Sequence, residues 1–567
     1  MSISDVIAVA RGEEPADLLL ANARLVNVLS GEIHPADVAI YDGRVMGFGA
    51  YQARQVIDLG GRFLCPGFMD AHVHLESSMV QPAEFARAVM PHGTTTVICD
   101  PHEIANVLGL DGVGYILEAT RRLPLSVYVM APSCVPATRM ETAGAELGVR
   151  EILQLLRADR VLGLAEMMNY PGVLYRAPDV LLKIDAAMGR PIDGHAPGLT
   201  GKDLNAYVAV GIRSDHECTD LEEAREKLRR GMHIFIREGT TARNLSTLLP
   251  LVTPVNARLC HFCTDDRHPD TLLTEGHIDD LVRKAIAWGL DPVLAIQMAT
   301  LNTAEYFGLR ETGAVAPGYR ADLLVLDDLE RVHVAQVYAA GQRVAEGGRL
   351  LLPTSGFQVP VQPSVHVDAS AVDFTIPAGE GPARVIGVIP GQIVTEHRHL
   401  EPALREGWVV SDPQQDLLKI AVVERHRGTG NVGLGLVTGM GLKRGAIASS
   451  VAHDSHNLVV IGTSDDDMRA AIAAIARIGG GQVAVVDGQV CAACPLPIAG
   501  LMSERPLEEV RDQGAALTQA AHALGCTLTD PLMTMSFLAL PVIPALKLTD
   551  KGLVDVNRFT LVPLFGD

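Results

Sequence analysis

The chain has 567 residues, more than one hydrophobic core ordinarily organises, so two to four domains are expected. Its apolar fraction of 48% is that of a globular protein, and a net charge of −20 argues against a phosphate-backbone or anionic-membrane partner. Nine cysteines, odd in number and scattered, predict reduced thiols in the cytoplasm rather than a disulfide framework.

The opening MSISDVIAVARGEEPADLLL has no basic stretch ahead of an apolar core, so no secretion signal is expected. Residues 17–62 alternate in short steps punctuated by Gly31, Gly43, Gly47 and Gly49, a meander of short strands. A similar texture returns at 311–350. The two pieces predict one composite small β-domain, 1–65 with 310–358, into which the intervening chain is inserted.

That insert, residues 66–309, alternates strand-like and helix-like segments. The strands are expected at 67–74, 94–100, 125–131, 161–168, 190–196, 212–217, 232–238 and 258–266. Asp220 to Arg230 spaces Leu221, Ala224 and Leu228 for a helix, acidic early and basic late. Eight strands alternating with helices over this length predict an α/β fold of the TIM-like (β/α)8 barrel type. From 359 to 567 the texture predicts a further α/β domain, with strands at 417–425, 457–462 and 481–488 and helices near 466–478 and 507–525. Pro531 to Leu548 is the most apolar run, but Pro531, Pro541 and Pro544 make it a poor membrane span.

The organising stretch is PGFMDAHVHLESSM, Pro66 to Met79. On a strand, His72 and His74 share a face, and two adjacent imidazoles suit a divalent metal. Polar residues fall at the ends of other expected barrel strands: Glu166 on the fourth, His195 on the fifth, His216 on the sixth and Asp265 on the eighth. Barrel enzymes keep their chemistry at that face. Two divalent ions sharing a carboxylate and a hydroxide need such a set, and metal-lowered water acidity supplies a nucleophile near neutral pH. Asp265 would bind one ion, take the water's proton and deliver it to the leaving group.

This pattern resembles the amidohydrolase superfamily, with Glu166 where many members bridge with a carboxylated Lys. Within it, CDPHEIANVLG (99–109), GLAEMMNYPGV (163–173), GHAPGLTGKDLNAY (194–207) and FCTDDRHPD (262–270) resemble bacterial-type adenine deaminase. So do GTGNVGLGLVTGMGLKRGAIASSVAHDSHN (428–457) and CPLPIAGLMS (494–503). The resemblance implies hydrolysis of adenine to hypoxanthine and ammonia with two divalent ions, manganese or iron, zinc being the further option. It implies ligand roles for His72, His74, Glu166, His195, His216 and Asp265. The expected partners are adenine and water, with a homo-oligomer formed through outer helices.

Glu238 and His102 are the further catalytic candidates, and Glu76, Glu103, Asn169, Asp266 and His268 the candidate purine contacts. Each equally suits hydrogen bonding to a ligand residue. The alternative activity is a cyclic-amide hydrolase of dihydroorotase or hydantoinase type, for which Arg213 or Arg237 would hold a substrate anion. A non-catalytic scaffold sits poorly with a complete ligand set.

Other motifs carry less. GTGNVG, Gly428 to Gly433, matches a dinucleotide fingerprint but runs into further glycines rather than a helix. His74 and Glu76 match the H-x-E of zinc deaminases without the P-C-x-x-C that fold requires. Cys260/Cys263 and Cys491/Cys494 are expected to be buried thiols. HDSHN, His453 to Asn457, reads as a hydrogen-bonded turn, or else as a second polar site or a cover over the barrel mouth.

Overall fold

A nine-stranded sheet joins the two flanks of the chain, and a computed structural model describes it along with the rest of residues 2–351 and 359–566. The expected boundary at 358 lies outside the described residues. Strand Phe63–Pro66 runs antiparallel to Leu323–Leu326, in register from Phe63 with Leu326 to Pro66 with Leu323. This pairing brings the entry and exit of the intervening segment together.

Eight strands of that segment are parallel to their neighbours. Phe68–Val73, Thr94–Cys99, Ser126–Ala131, Val161–Met167 and Ile192–Gly194 form one sheet of five. Ser214–Asp215, His233–Arg237 and Cys260–Cys263 form a sheet of three. Two seams link them. At one, the Asp265 amide donates to the His72 carbonyl at 3.0 Å and the His74 amide to the Asp265 carbonyl at 3.1 Å. At the other, the Arg213 amide donates to the Ile192 carbonyl at 3.1 Å.

The fifth and sixth strands are shorter than the sequence pattern predicts, so His195 and His216 lie just beyond them. The backbones crowd here: a Cβ on Gly194 would stand 2.3 Å from the Ser214 carbonyl oxygen. The helix expected at 220–230 is present as Leu221–Arg229, with the Asp220 carboxylate capping the amides of Glu222 and Glu223 at 2.8 and 3.1 Å. Its inward residue is not only apolar. Lys227 is fully buried, and its Nζ donates to Asp215 Oδ2 at 3.0 Å, Glu223 Oε1 at 2.6 Å and the Ala196 carbonyl at 2.6 Å. It ties together the segments that carry His195 and His216.

The C-terminal part is built on an eight-stranded sheet that includes Leu418–Val423, Leu458–Gly462 and Gly481–Val486. Helices Asp465–Ile478 and Leu507–Ala523 pack on it. The glycines of 428–433 lead into strand Val432–Thr438, not into a helix, so the dinucleotide reading falls. Gly433 is there for close packing, since a Cβ would stand 1.8 Å from the Thr549 carbonyl oxygen. The apolar run at 531–548 divides into helix Pro531–Phe537 and strand Leu546–Thr549. Among the described residues, no helix is long and apolar enough to cross a membrane.

The C-terminal part covers the ends of the parallel strands. Thr142 donates through its amide at 2.8 Å and its hydroxyl at 2.6 Å to Asp550. Arg87 forks onto Glu508, with Nη1 at 3.0 Å and Nη2 at 2.5 Å from its two oxygens. Backbone bonds link Met79 and Gln81 to Ser503 at 2.7 and 3.0 Å.

Candidate metal centre at the ends of the parallel strands

The first parallel strand, Phe68–Val73, carries His72 next to its last residue, and His74 caps the short turn Leu75–Ser78 that follows. The two rings converge with their Nε2 atoms 3.2 Å apart. His74 Nδ1 donates to the Asp100 carbonyl at 2.8 Å, which leaves Nε2 as the atom facing its neighbour. Two imidazole lone pairs at this separation call for a shared proton or a cation between them.

Glu166, at the end of the fourth strand, supplies one carboxylate oxygen to each side of the cluster. Its Oε1 lies 3.4 Å from His74 Nε2 and 3.7 Å from His72 Nε2. Its Oε2 lies 2.5 Å from His195 Nδ1 and 3.3 Å from His216 Nε2. Asp265 presents Oδ1 to His74 at 3.1 Å and to His72 at 3.5 Å. The Asp265 backbone has φ +59°, a left-handed conformation that Asp tolerates better than most residues.

All of these side chains are buried except that of His195, which is 26% exposed and marks the open side. Burial pushes the Glu166 carboxyl up, but His195 and His216 outweigh it and hold the group well below the usual carboxylate range. Burial acts the same way on Asp265, and Arg237 with the His72 and His74 bonds reverses it. Opposing burial, Glu166 raises His216 to about 9.

Donor atoms of His72, His216 and Asp265 lie within 4.8 Å of one another, as do those of Glu166, His195 and His216. A third such group joins His74, Asp100, His102 and Glu166. Imidazole nitrogens and ionised carboxylates in this density fit first-row divalent metals. His102 Nδ1 and Asp100 Oδ2 are buried and face each other at 3.4 Å, outside good hydrogen-bond geometry, a spacing that suits two ligands of one cation.

The structure thus gathers His72, His74, Glu166, His195, His216 and Asp265, and brings His102 to 3.5 Å from Glu166 Oε1. Asp266 stands beside them, its carboxylate accepting from the Ser77 hydroxyl. Glu76 accepts from the Ile104 amide at 3.0 Å and keeps Oε2 buried and unpartnered; burial raises it to about 7. Glu238 is turned to other partners: its carboxylate takes Lys284 Nζ at 3.1 Å and the Leu245 amide at 3.3 Å. Asn169 caps helix Tyr170–Leu174 through the Gly172 amide at 2.9 Å. His268 lies 4.0 Å from Asp530 of the C-terminal part. Both oxygens of Glu103 are taken by His453 and His456.

Sequence reasoning missed Glu217 and the use made of Arg237. Glu217 Oε1 lies 3.4 Å from His216 Nε2 and 3.8 Å from His195 Nδ1. Arg237 Nη1 bonds Glu217 and also Asp265 Oδ2, at 2.8 Å from the latter, and Nη2 reaches Glu217 Oε2 at 3.1 Å. Arg237 is therefore committed to carboxylates of the protein rather than free for a substrate anion. Arg213 is solvent-exposed.

Parallel strands carrying this cluster at their ends define a metal-dependent hydrolase of the amidohydrolase type. Residues 63–344 match the Amidohydrolase family, and residues 392–560 match the Adenine deaminase C-terminal domain. The chain is 56% identical over 563 residues to an adenine deaminase of Desulfatibacillum aliphaticivorans, covering 99% of each chain. It is 54% identical over 569 residues to that of Methanothrix thermoacetophila, covering 100% of both. It is 52% identical over 565 residues to one of Dehalococcoides mccartyi, covering 99% of each. The chain belongs to the adenine deaminase family.

Proposed function

We propose that this protein hydrolyses adenine to hypoxanthine and ammonia at a binuclear metal centre. The observation that carries the reading is Glu166, whose two carboxylate oxygens face two separate sets of imidazoles. His72, His74 and Asp265 would hold one ion and His195 and His216 the other, with Glu166 facing both sets. Manganese or iron is the expected metal, and zinc suits the same donors. Bound there, such ions would lower the pKa of water and so supply a nucleophile at neutral pH.

The chain's own residues do the rest. Water attacks C6 of the purine, and Asp265, fixed by Arg237 through Oδ2, receives the water's proton and passes it to the departing amine. One water proton leaves with the amine as ammonia when the C6–N bond breaks, and the other ends on N1 as C6–OH becomes the carbonyl, so water and adenine become hypoxanthine and ammonia with atoms and charge balanced. Arg237 keeps Asp265 ionised and oriented; we assign purine contacts to His102 and to Glu76, whose Oε2 has no hydrogen-bond partner.

We also assign the parallel strands to one (β/α)8 barrel, residues 66–309, closed through the hydrogen bonds at the two seams. The flanks 1–65 and 310–358 make the small β-domain, and 359–567 the C-terminal domain. A cytoplasmic location fits nine free cysteines, of which only Cys491 is exposed.

The test is ammonia release from adenine by purified protein after chelation and return of manganese. Activity that returns with metal and is lost in Asp265→Asn supports the substrate and the proton carrier. Turnover of a cyclic amide but not of adenine overturns the substrate.

A further inference from the structure

The loop Ala452–Asn457 of the C-terminal part reaches into the barrel mouth and is held there at several points. The His456 amide donates to the Ala452 carbonyl at 2.7 Å, so the segment is a hydrogen-bonded turn as its sequence suggests. It is also more than a turn. Asn457 Nδ2 donates to the Thr142 carbonyl at 2.8 Å, and Arg425 Nε donates to the His456 carbonyl. His453 Nδ1 lies 2.7 Å from Glu103 Oε1, and His456 Nε2 contacts Glu103 Oε2. All three side chains are buried.

Two imidazoles and a carboxylate in such proximity resemble another metal site. The tautomer excludes it. The Ala452 amide donates to His456 Nδ1 at 3.1 Å, so Nδ1 is an acceptor and Nε2 carries the proton it gives to Glu103. That nitrogen has no lone pair for a cation. The trio is a clamp on a carboxylate.

The clamp has a free end. With Nδ1 committed to Glu103, His453 presents Nε2, which is buried and has no hydrogen-bond partner. Its ring lies nearly parallel to that of Phe537, with centroids 4.9 Å apart and planes 15° apart, so its orientation is fixed. Neighbouring Asp454 Oδ2 and, from the barrel, Glu76 Oε2 are likewise buried and unpartnered. Glu103 Oε1 is also 3.6 Å from His102 Nε2, which connects the clamp to the metal cluster. Orphaned polar atoms are thus present on both sides of the Glu103 contact, since Glu76 bonds the amide of the next residue, Ile104, and each costs free energy until it is paired.

We infer that His453 is a substrate-binding residue contributed by the C-terminal domain, its Nε2 hydrogen-bonding a ring nitrogen of the purine while Glu103 and His456 act as positioning residues. This rests on the adenine reading above and adds the far end of the base to the site. It also assigns a role to the C-terminal domain, which supplies part of the purine pocket.

The test uses the full-length, manganese-loaded protein and two variants. His453→Asn keeps a donor toward Glu103 but lacks an atom at the Nε2 position; His453→Gln places an amide nitrogen near that position. His453→Asn is expected to raise KM for adenine and weaken calorimetric binding of hypoxanthine by between about five- and a hundred-fold. Metal content and melting temperature should stay unchanged, and His453→Gln should recover most of the affinity. An unmoved KM and hypoxanthine affinity in His453→Asn overturns the inference, as does metal loss in proportion to activity. A Gln variant as weak as the Asn variant overturns it too. No adenine turnover by the unaltered protein sinks the parent reading, whereas turnover with an unmoved KM in the variant sinks this one alone.

Discussion

Arg237→Met probes the electrostatic balance of the site most directly. Met keeps the apolar stem of Arg237 and removes a guanidinium that is only 7% exposed. That guanidinium touches Asp265 Oδ2 at 2.8 Å and Glu217 Oε2 at 3.1 Å. At such separations each pair attracts by about 5–6 kcal/mol gross at an effective dielectric constant near 20. Removing one partner of a buried pair costs about 3–5 kcal/mol net, because the remaining charge is left without compensation. Metal-free protein should lose that much, and metal-loaded protein less, since divalent ions also stabilise the carboxylates. The pH dependence has a definite sign. The folded-state pKa values of Asp265 and Glu217 are depressed, with Arg237 the largest opposing influence to burial, so their contribution is present above the unfolded carboxylate range and lost as pH falls. The stability gap between wild type and variant should therefore be full at pH 7 and shrink below about pH 4. The acid limb of kcat/KM should move to higher pH, because that limb reports the free enzyme's ionisations. Scanning calorimetry with and without manganese, and a pH–rate profile on adenine, measure these quantities. An Arg237→Met protein with unchanged metal-free stability and an unmoved acid limb would refute the assignment of Arg237 as the counter-charge of Asp265.

Other expectations follow from single contacts. Glu166→Gln replaces the shared anion by a neutral amide; bound manganese should fall from two ions per chain to one or fewer, and activity by at least about a hundred-fold. Metal analysis after gel filtration decides it, and full occupancy would count against the bridging role. Lys547 is fully buried, its Nζ donating to the Ile393 and Phe537 carbonyls at 2.7 and 2.9 Å, and burial lowers it to about 7. The unfolded chain then binds the extra proton between about pH 7 and 10.4, so stability should rise by up to about 1.4 kcal/mol per pH unit there. Lys547→Met should flatten that slope in denaturant titrations. Gly433→Ala drives a methyl group against the Thr549 carbonyl, which is backbone and yields little. A loss of about 1–3 kcal/mol is expected in the unfolding of the C-terminal domain, and an unchanged transition would show that the strand shifts freely.

Some of this was readable in the sequence for a physical reason. His72 and His74 are two apart where the chain is extended, and that spacing forces both rings to one side even though His74 has already left the strand. Glu166 closes an apolar strand, where a carboxylate has no other business. His195 and His216 were less secure on pattern alone, because their strands are only Ile192–Gly194 and Ser214–Asp215, too short to set a period. Glu217 carried no signal, and Arg237 was read only as a holder for a substrate anion. Each sits beside a residue that stands out, and their meaning appears only when the sixth, seventh and eighth strands lie side by side. Glu238 is a residue whose pattern and contacts point different ways. It ends the seventh-strand segment like a catalytic residue, yet Lys284 and the Leu245 amide hold its carboxylate.

The most distant part of the site was the least legible. His453 and Glu103 are 350 positions apart, and no periodicity links a loop of one domain to a helix of another. What the sequence could offer was local: His, Asp, Ser, His and Asn in a row, which suits a turn. The turn does form, and its formation points His453 and His456 outward onto a carboxylate of the parallel-strand segment. Both oxygens of Glu103 are thereby spent on imidazoles of the C-terminal domain, so this buried carboxylate has its partners only when the two domains are together. Separating the domains would leave that charge without them, at the edge of the cluster that contains His102. The clamp accordingly makes docking of the C-terminal part a condition for pairing Glu103, which lies beside His102 of the candidate metal cluster.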